Sequence, residues 1–175
     1  MAYQYVREPL TSDEADRLSH ACKTPNEKLV IWTLLDTGLR VSELCGLTPE
    51  SMLWQQRSLR VMGKGGPYGK KSKVRVVPLS RRVQSLLEPY FALNEKWFVG
   101  PRQAQKLVKQ VANCAQLSKP VTPHVLRHTF ATLALQKGIS LAAVQKMLGH
   151  DRLSTTEIYL NLTETHVMEE FQAKW

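Results

Sequence analysis

The stretch TPHVLRHTFATLALQKG, residues 122–138, reads as one helix with both of its ends marked. Thr122 supplies an N-cap oxygen, and Pro123 suits the first helical position, where its missing N–H would find no intrahelical acceptor. Gly138 provides the stop. Inside the helix His124, Arg127 and His128 stand three and four residues apart, which places them on or near one face. A polar trio in an otherwise apolar helix invites a functional reading, although for any single histidine a satisfied position at a helix edge accounts equally well. Zinc is disfavoured: His124 and His128 have i, i+4 spacing, but the glutamate of H-E-x-x-H is missing and Arg127 would repel the cation. No metal is expected.

Moving outward, Ser140 caps the helix LAAVQKML, Gly149 ends it, and His150 lies directly beyond. Ser154 then opens a segment containing Tyr159, and residues 163–175 form an amphipathic tail. On the other side, RRVQSLLEPYFAL and RQAQKLVKQVANCAQL carry apolar residues at helical spacing, with a loop at NEKWFVGP between them. Residues 52–79 change period. There MLW, a turn at QQRS, LRVM, a loop and VRVVPL read as two or three short strands. Earlier still, SDEAD places acids in the first turn of a helix after Thr11 and Ser12, and NEKLVIWTLLDT reads as a buried helix ending at Gly38. A short turn, RVSELCGL, puts Arg40 and Glu43 three positions apart on one face. The expected fold class is α+β, mainly α-helical, with a small antiparallel β-sheet or hairpin. One domain takes in residues 11–175, preceded by an arm or linker at residues 1–10.

The chain has 175 residues with 24 basic and 15 acidic side chains, a formal charge of +9 that predicts attraction to a polyanion. Cys22, Cys45 and Cys114 are odd in number and far apart, which suggests neither a disulfide framework nor a zinc site and suits a reducing cytoplasm. No apolar signal segment opens the chain, and Leu29 to Leu35 is much too short to cross a bilayer, so no membrane association is expected. Between Arg60 and Arg82 there are eight basic residues and no acidic one. Lys70, Lys71, Lys73 and Arg75 are the DNA-binding candidates if this hairpin reaches into a groove; from charge alone a solvated charged loop is the slightly better explanation of the run. GGPYGKKS lacks the first glycine and the hydroxyl of a Walker A loop at the required spacing.

Breaking a phosphodiester with a tyrosine requires three things: phosphate charge neutralised, the phenol proton removed and the leaving oxygen protonated. Arginines suit the first task, because a guanidinium keeps its charge and donates bidentate hydrogen bonds to phosphate oxygens. Arg40 and Arg127 are the candidates. A free phenol has a pKa of about 10, so it attacks only where its proton is taken or the phosphate is strongly activated, and His124 or His150 could supply the base. The departing sugar oxygen needs an acid, for which Lys64 on the hairpin is the choice.

TGLRVSELCGLTPE, MGKG, VRVVPL, TPHVLRHTFATLALQKG, LAAVQKMLGH and TTEIYLNL, in that order, closely resemble the catalytic domain of tyrosine recombinases, the Xer-type and phage-integrase members nearest. The resemblance spans roughly Leu10 to Leu162. It implies the tyrosine-recombinase catalytic-domain fold, with Arg40, Lys64, His124, Arg127, His150 and Tyr159 as the catalytic set and Tyr159 as nucleophile. Glu43 would support Arg40 through a salt bridge, and His128 would be hydrogen-bonded beneath the site. The implied activity is site-specific cleavage and rejoining of DNA through a 3′-phosphotyrosyl link, independent of metal, ATP or any cofactor. The segment GGPYGKKSKVR is longer than in compact Xer-type members, which makes Lys70, Lys71 or Lys73 an alternative acid. The resemblance leads one to expect no amino-terminal core-binding domain within this chain, and without that clamp DNA binding is expected to be weak and salt-sensitive. Double-stranded DNA is the implied partner, with a synaptic tetramer formed through the tail and an accessory DNA-binding protein as further partners. A DNA-binding accessory factor that keeps the fold and a type IB topoisomerase are the alternative functions.

Overall fold

The apolar run LVIW–LL within PNEKLVIWTLLDT, residues 29–35 with Thr33 inside it, makes helix α2 (Pro25–Thr37) the axis of the molecule. In the computed structural model, which describes residues 8–63 and 74–149, Val30, Ile31 and Leu34 of this helix are wholly buried. Each such side chain stabilises the fold by about 1.5–3 kcal/mol through removal from water. Thr24 and Glu27 close a capping box at its start, and Gly38 ends it in the left-handed conformation at φ +62°. A Cβ at Gly38 would lie 2.3 Å from a ring carbon of Phe130 and 2.8 Å from Leu148. Glycine is therefore required there both for its backbone angle and for the closeness of the neighbours.

Around α2 pack α1 (Ser12–His20), α4 (Arg81–Leu93), α5 (Pro101–Cys114) and α6 (Pro123–Gln136). Helix α1 opens with a capping box between Thr11 and Glu14. Helix α4 is tied to the end of α2 by Asp36, which accepts from Arg82 and from the Ser80 hydroxyl. The short helix α3 (Val41–Cys45) follows Gly38, and α7 (Leu141–Leu148), capped by Ser140, packs on α6 and on the sheet. The mostly helical class is as expected.

The sheet is small and antiparallel, in the order β1 (Met52–Leu53), β2 (Ser58–Met62) and β3 (Val74–Pro78). In its register Leu59 opposes Val77 and Val61 opposes Arg75. Alternation along β3 turns Arg75 and Val77 inward and Val74 and Val76 outward.

Three local readings are corrected. Helix α5 ends at Cys114 and not at Leu117, because Gln116 takes a positive φ of 54°. Helix α3 starts after Arg40, which is its N-cap. Arg40 and Glu43 thus meet as cap and third helical residue, a closer pairing than two positions on one helix face. The end of the expected arm is docked on the domain: Leu10 is buried, its N–H donates to Thr129 Oγ1 at 2.9 Å, and Lys119 Nζ donates to the Pro9 carbonyl at 3.1 Å. No helix among the described residues is long and apolar enough to cross a membrane.

Candidate active site

Six charged or polar side chains expected at the site fall among the described residues, and four of them form one circuit around the end of α7. Arg127, in the second turn of α6, is buried. Its Nη1 donates to the carbonyl of Gly38 and its Nη2 to that of Leu148 at 2.7 Å. Two residues past Gly38, the N–H of Arg40 donates to Glu43 Oε2 at 2.8 Å and Arg40 Nη1 to Glu43 Oε1 at 2.9 Å.

Glu43 then receives both ends of the Arg75 guanidinium, Nη1 on Oε1 and Nη2 on Oε2, each at 2.8 Å. The third Arg75 nitrogen, Nε, donates to the carbonyl of Met147 at 2.7 Å. Met147 adjoins Leu148, so the circuit returns to Arg127. The last carbonyls of a helix have no intrahelical donors and carry a partial negative charge, and here two guanidinium groups cap them.

Gly149, at φ +70°, completes the contact: a Cβ there would lie 3.0 Å from Arg75 Cδ and 3.3 Å from Nε. Burial alone would raise the Glu43 carboxyl, but the hydrogen bonds from Arg75 and from the Arg40 N–H, with the charge of Arg75, hold it at about 2. It is a fixed anion at physiological pH. Within the circuit, exposure divides sharply: the Arg40 side chain is 42% exposed, whereas those of Arg75 and Glu43 are 8% and 6%. One arginine faces solvent on a charged, rigid base.

His124 is exposed in the first turn of α6, and His128 is buried one turn further on. The expected Arg40–Glu43 salt bridge is present. Arg75, expected to face DNA, is instead turned into the domain with its three nitrogens bonded there. The sequence carried a signal for this, since alternation in VRVVPL puts Arg75 on the same strand face as the core residue Val77. The carbonyls of Gly38, Met147 and Leu148 carry no side-chain signature and were not legible beforehand. Lys64, Lys70, Lys71, Lys73, His150, Tyr159 and the tail 163–175 lie outside the described residues.

The phage integrase family model matches residues 8–166. Tyrosine recombinase XerA of Pyrococcus horikoshii is 34% identical over 177 aligned residues, which cover 93% of this chain and 60% of the relative. Among solved structures, an XerA recombinase superposes with a TM-score of 0.82 at 30% identity, covering 95% of this chain and 64% of that one. The Tn1549 transposon integrase in complex with circular intermediate DNA gives 0.69 at 25% identity, covering 94% and 64%. The chain spans about six tenths of the length of such relatives.

Proposed function

This chain belongs to the phage integrase family, and from that premise we propose that it is the catalytic part of a site-specific recombinase that cleaves and rejoins duplex DNA. The observation that carries the reading is the circuit that leaves Arg40 exposed while Arg127, Glu43 and Arg75 are fixed beneath and beside it. A preorganised guanidinium aimed at developing phosphate charge stabilises a transition state without reorganising during the reaction. The named relatives include a recombinase and a DNA-bound integrase, which supports DNA as the substrate.

In the proposed reaction the Tyr159 oxygen attacks the scissile phosphorus, forming a 3′-phosphotyrosyl bond as the bond from phosphorus to the 5′ oxygen breaks. The phenol proton passes to a histidine, His124 or His150, and the leaving 5′ oxygen takes a proton from Lys64 or from Lys70, Lys71 or Lys73. Arg40 and Arg127 neutralise the phosphate. Attack by another 5′-hydroxyl reverses these steps and rejoins the strand. One phosphoester bond forms for each one broken, so neither ATP nor another energy source is needed. The tail 163–175 is proposed to join subunits on paired sites.

The test is covalent trapping. Purified protein is incubated in EDTA with nicked suicide duplexes carrying its host element's ends, and adducts are resolved on denaturing gels. The expected result is an adduct that disappears in Tyr159→Phe. DNA binding with no adduct would overturn strand cleavage in favour of an accessory role, and supercoil relaxation without strand exchange would favour a topoisomerase.

A further inference from the structure

We propose that Arg75 is a positioning residue for strand cleavage, holding the last turn of α7 against the corner formed by Arg40 and Glu43 from within the fold and making no contact with DNA. The inference rests on the strand-cleaving reading above and adds to it a residue outside the set expected to meet the phosphate.

Geometry separates Arg75 from the other basic residues of its segment. Its side chain is 8% exposed. Two parallel bonds of 2.8 Å join its guanidinium to both Glu43 oxygens, and the bond from Nε to the Met147 carbonyl is 2.7 Å. A fork-to-fork pair fixes angle as well as distance, and the third bond from the same rigid plane fixes a second element relative to the first. One planar group therefore sets the orientation of α7 relative to the Arg40 corner. A lysine at 75 would retain the charge but, as a single point donor on a flexible stem, would not hold both partners in register.

The two ends of this brace lead to residues expected at the site. Glu43 uses the same two oxygens to hold Arg40 through its N–H and its Nη1, so a displaced Arg75 frees Glu43 to move and Arg40 with it. On the other side Met147 is followed by Leu148, whose carbonyl holds Arg127, and by Gly149, which lies against the Arg75 stem. The next residue in the chain is His150. A purely stabilising role explains the arrangement less well, because a buried ion pair is often no more stabilising than apolar residues of the same volume.

The experiment is single-turnover adduct formation on the suicide duplex at saturating DNA, with DNA affinity and thermal melting measured on the same preparations. Arg75→Lys is expected to slow cleavage by about 10²-fold while DNA Kd stays within about threefold of wild type, the pattern of misplaced reacting groups and not of a lost contact. Glu43→Gln is expected to show the same split between rate and affinity. Combining the two is expected to do little more than the slower single variant, because both break one brace. If Arg75→Lys does not fold, Glu43→Gln, which keeps the side-chain shape, carries the test alone. Cleavage by a folded variant at the wild-type rate, or a loss wholly explained by raised Kd, would overturn the proposal. Failure of the wild-type protein itself to form an adduct would instead sink the strand-cleaving reading on which it rests.

Discussion

Arg75 and Arg127 donate to adjacent carbonyls, those of Met147 and Leu148, at 2.7 Å each. The two arginines come from different elements, β3 and α6, and they converge on the final turn of α7. Arg127 reaches in addition to Gly38, two residues before Arg40, while Arg75 reaches to Glu43, three residues after it. The position of Arg40 is thereby set from both sides of its own sequence, and through the same short turn of α7.

Arg127→Lys tests the first half of that arrangement. Lysine keeps a positive charge, but its compact ammonium does not bridge Gly38 and Leu148 while also supplying the phosphate contact that the proposed reaction assigns to Arg127. The expected outcome in single-turnover trapping is a loss of about 10²- to 10³-fold in adduct formation, the size typical of one preorganised transition-state donor. A rate within a few-fold of wild type would show that charge alone suffices.

The low pKa of Glu43 makes an acid-stability prediction whose sign follows from linkage. Its folded value of about 2 lies below the ordinary 4.5. The ionised form is therefore favoured by folding, and the stabilisation is fully present above about pH 4.5 and is lost as pH falls toward 2. The shift corresponds to a contribution on the order of 3 kcal/mol at neutral pH. Denaturant unfolding of wild type and Glu43→Gln between pH 6 and 2 should show the difference in stability between them shrinking with acid. A difference that does not change with pH would contradict it.

Helices, strands and the three left-handed glycines Gly38, Gly138 and Gly149 were legible because their signals are local: caps, period and turn residues. The decisive part of the site was not. Arg40, Glu43 and Arg127 were identified as residues, but the atoms that organise two of the three arginines include the backbone oxygens of Gly38, Met147 and Leu148, which every residue type possesses. The sequence shows a basic run from Arg60 to Arg82, and charge alone does not distinguish Arg75 from its neighbours, whether as DNA contacts or as a solvated loop. Only strand alternation separates it from them, by placing it on the face shared with Val77.

Gly38→Ala should uncouple the fold from the site in the opposite direction. A methyl group there meets the Phe130 ring at 2.3 Å and Leu148 at 2.8 Å, at a φ of +62°. The left-handed angle alone costs about 1–2 kcal/mol, and the clash adds to it by pushing on the residue whose carbonyl anchors Arg127. A drop in melting temperature of at least about 2 °C is expected for a chain of this size. An unchanged melting temperature would mean that Phe130 and Leu148 yield freely.

The cysteines should react in a fixed order. Burial pushes the Cys22 thiol up to about 11, and the carboxylate of Glu27 acts in the same direction. Burial also raises Cys45, whereas Cys114 is exposed on α5. Since the thiolate is the reactive form, a thiol reagent at pH 7.5 should label Cys114 first and Cys22 only on unfolding. Rapid labelling of Cys22 in the folded protein, read by peptide mass, would contradict its placement.

Finally, Arg40 and Arg75 share one carboxylate but should separate stability from activity. The Arg40 side chain is 42% exposed, and an exposed ion pair contributes only about 0–1 kcal/mol. Arg40→Gln should therefore melt close to wild type while losing most of its adduct formation, since the proposed reaction uses this exposed guanidinium to neutralise the phosphate. Arg75 is 8% exposed, and its removal leaves the buried charge of Glu43 with Arg40 as its remaining cation. Stripping one partner from a buried pair typically costs about 3–5 kcal/mol, so Arg75→Met should lose stability before any question of catalysis arises. Denaturant unfolding of the two variants side by side decides this. Equal destabilisation would mean that Arg40 is as much a part of the packed interior as Arg75, and the division of the circuit into an exposed member and a buried brace would fall.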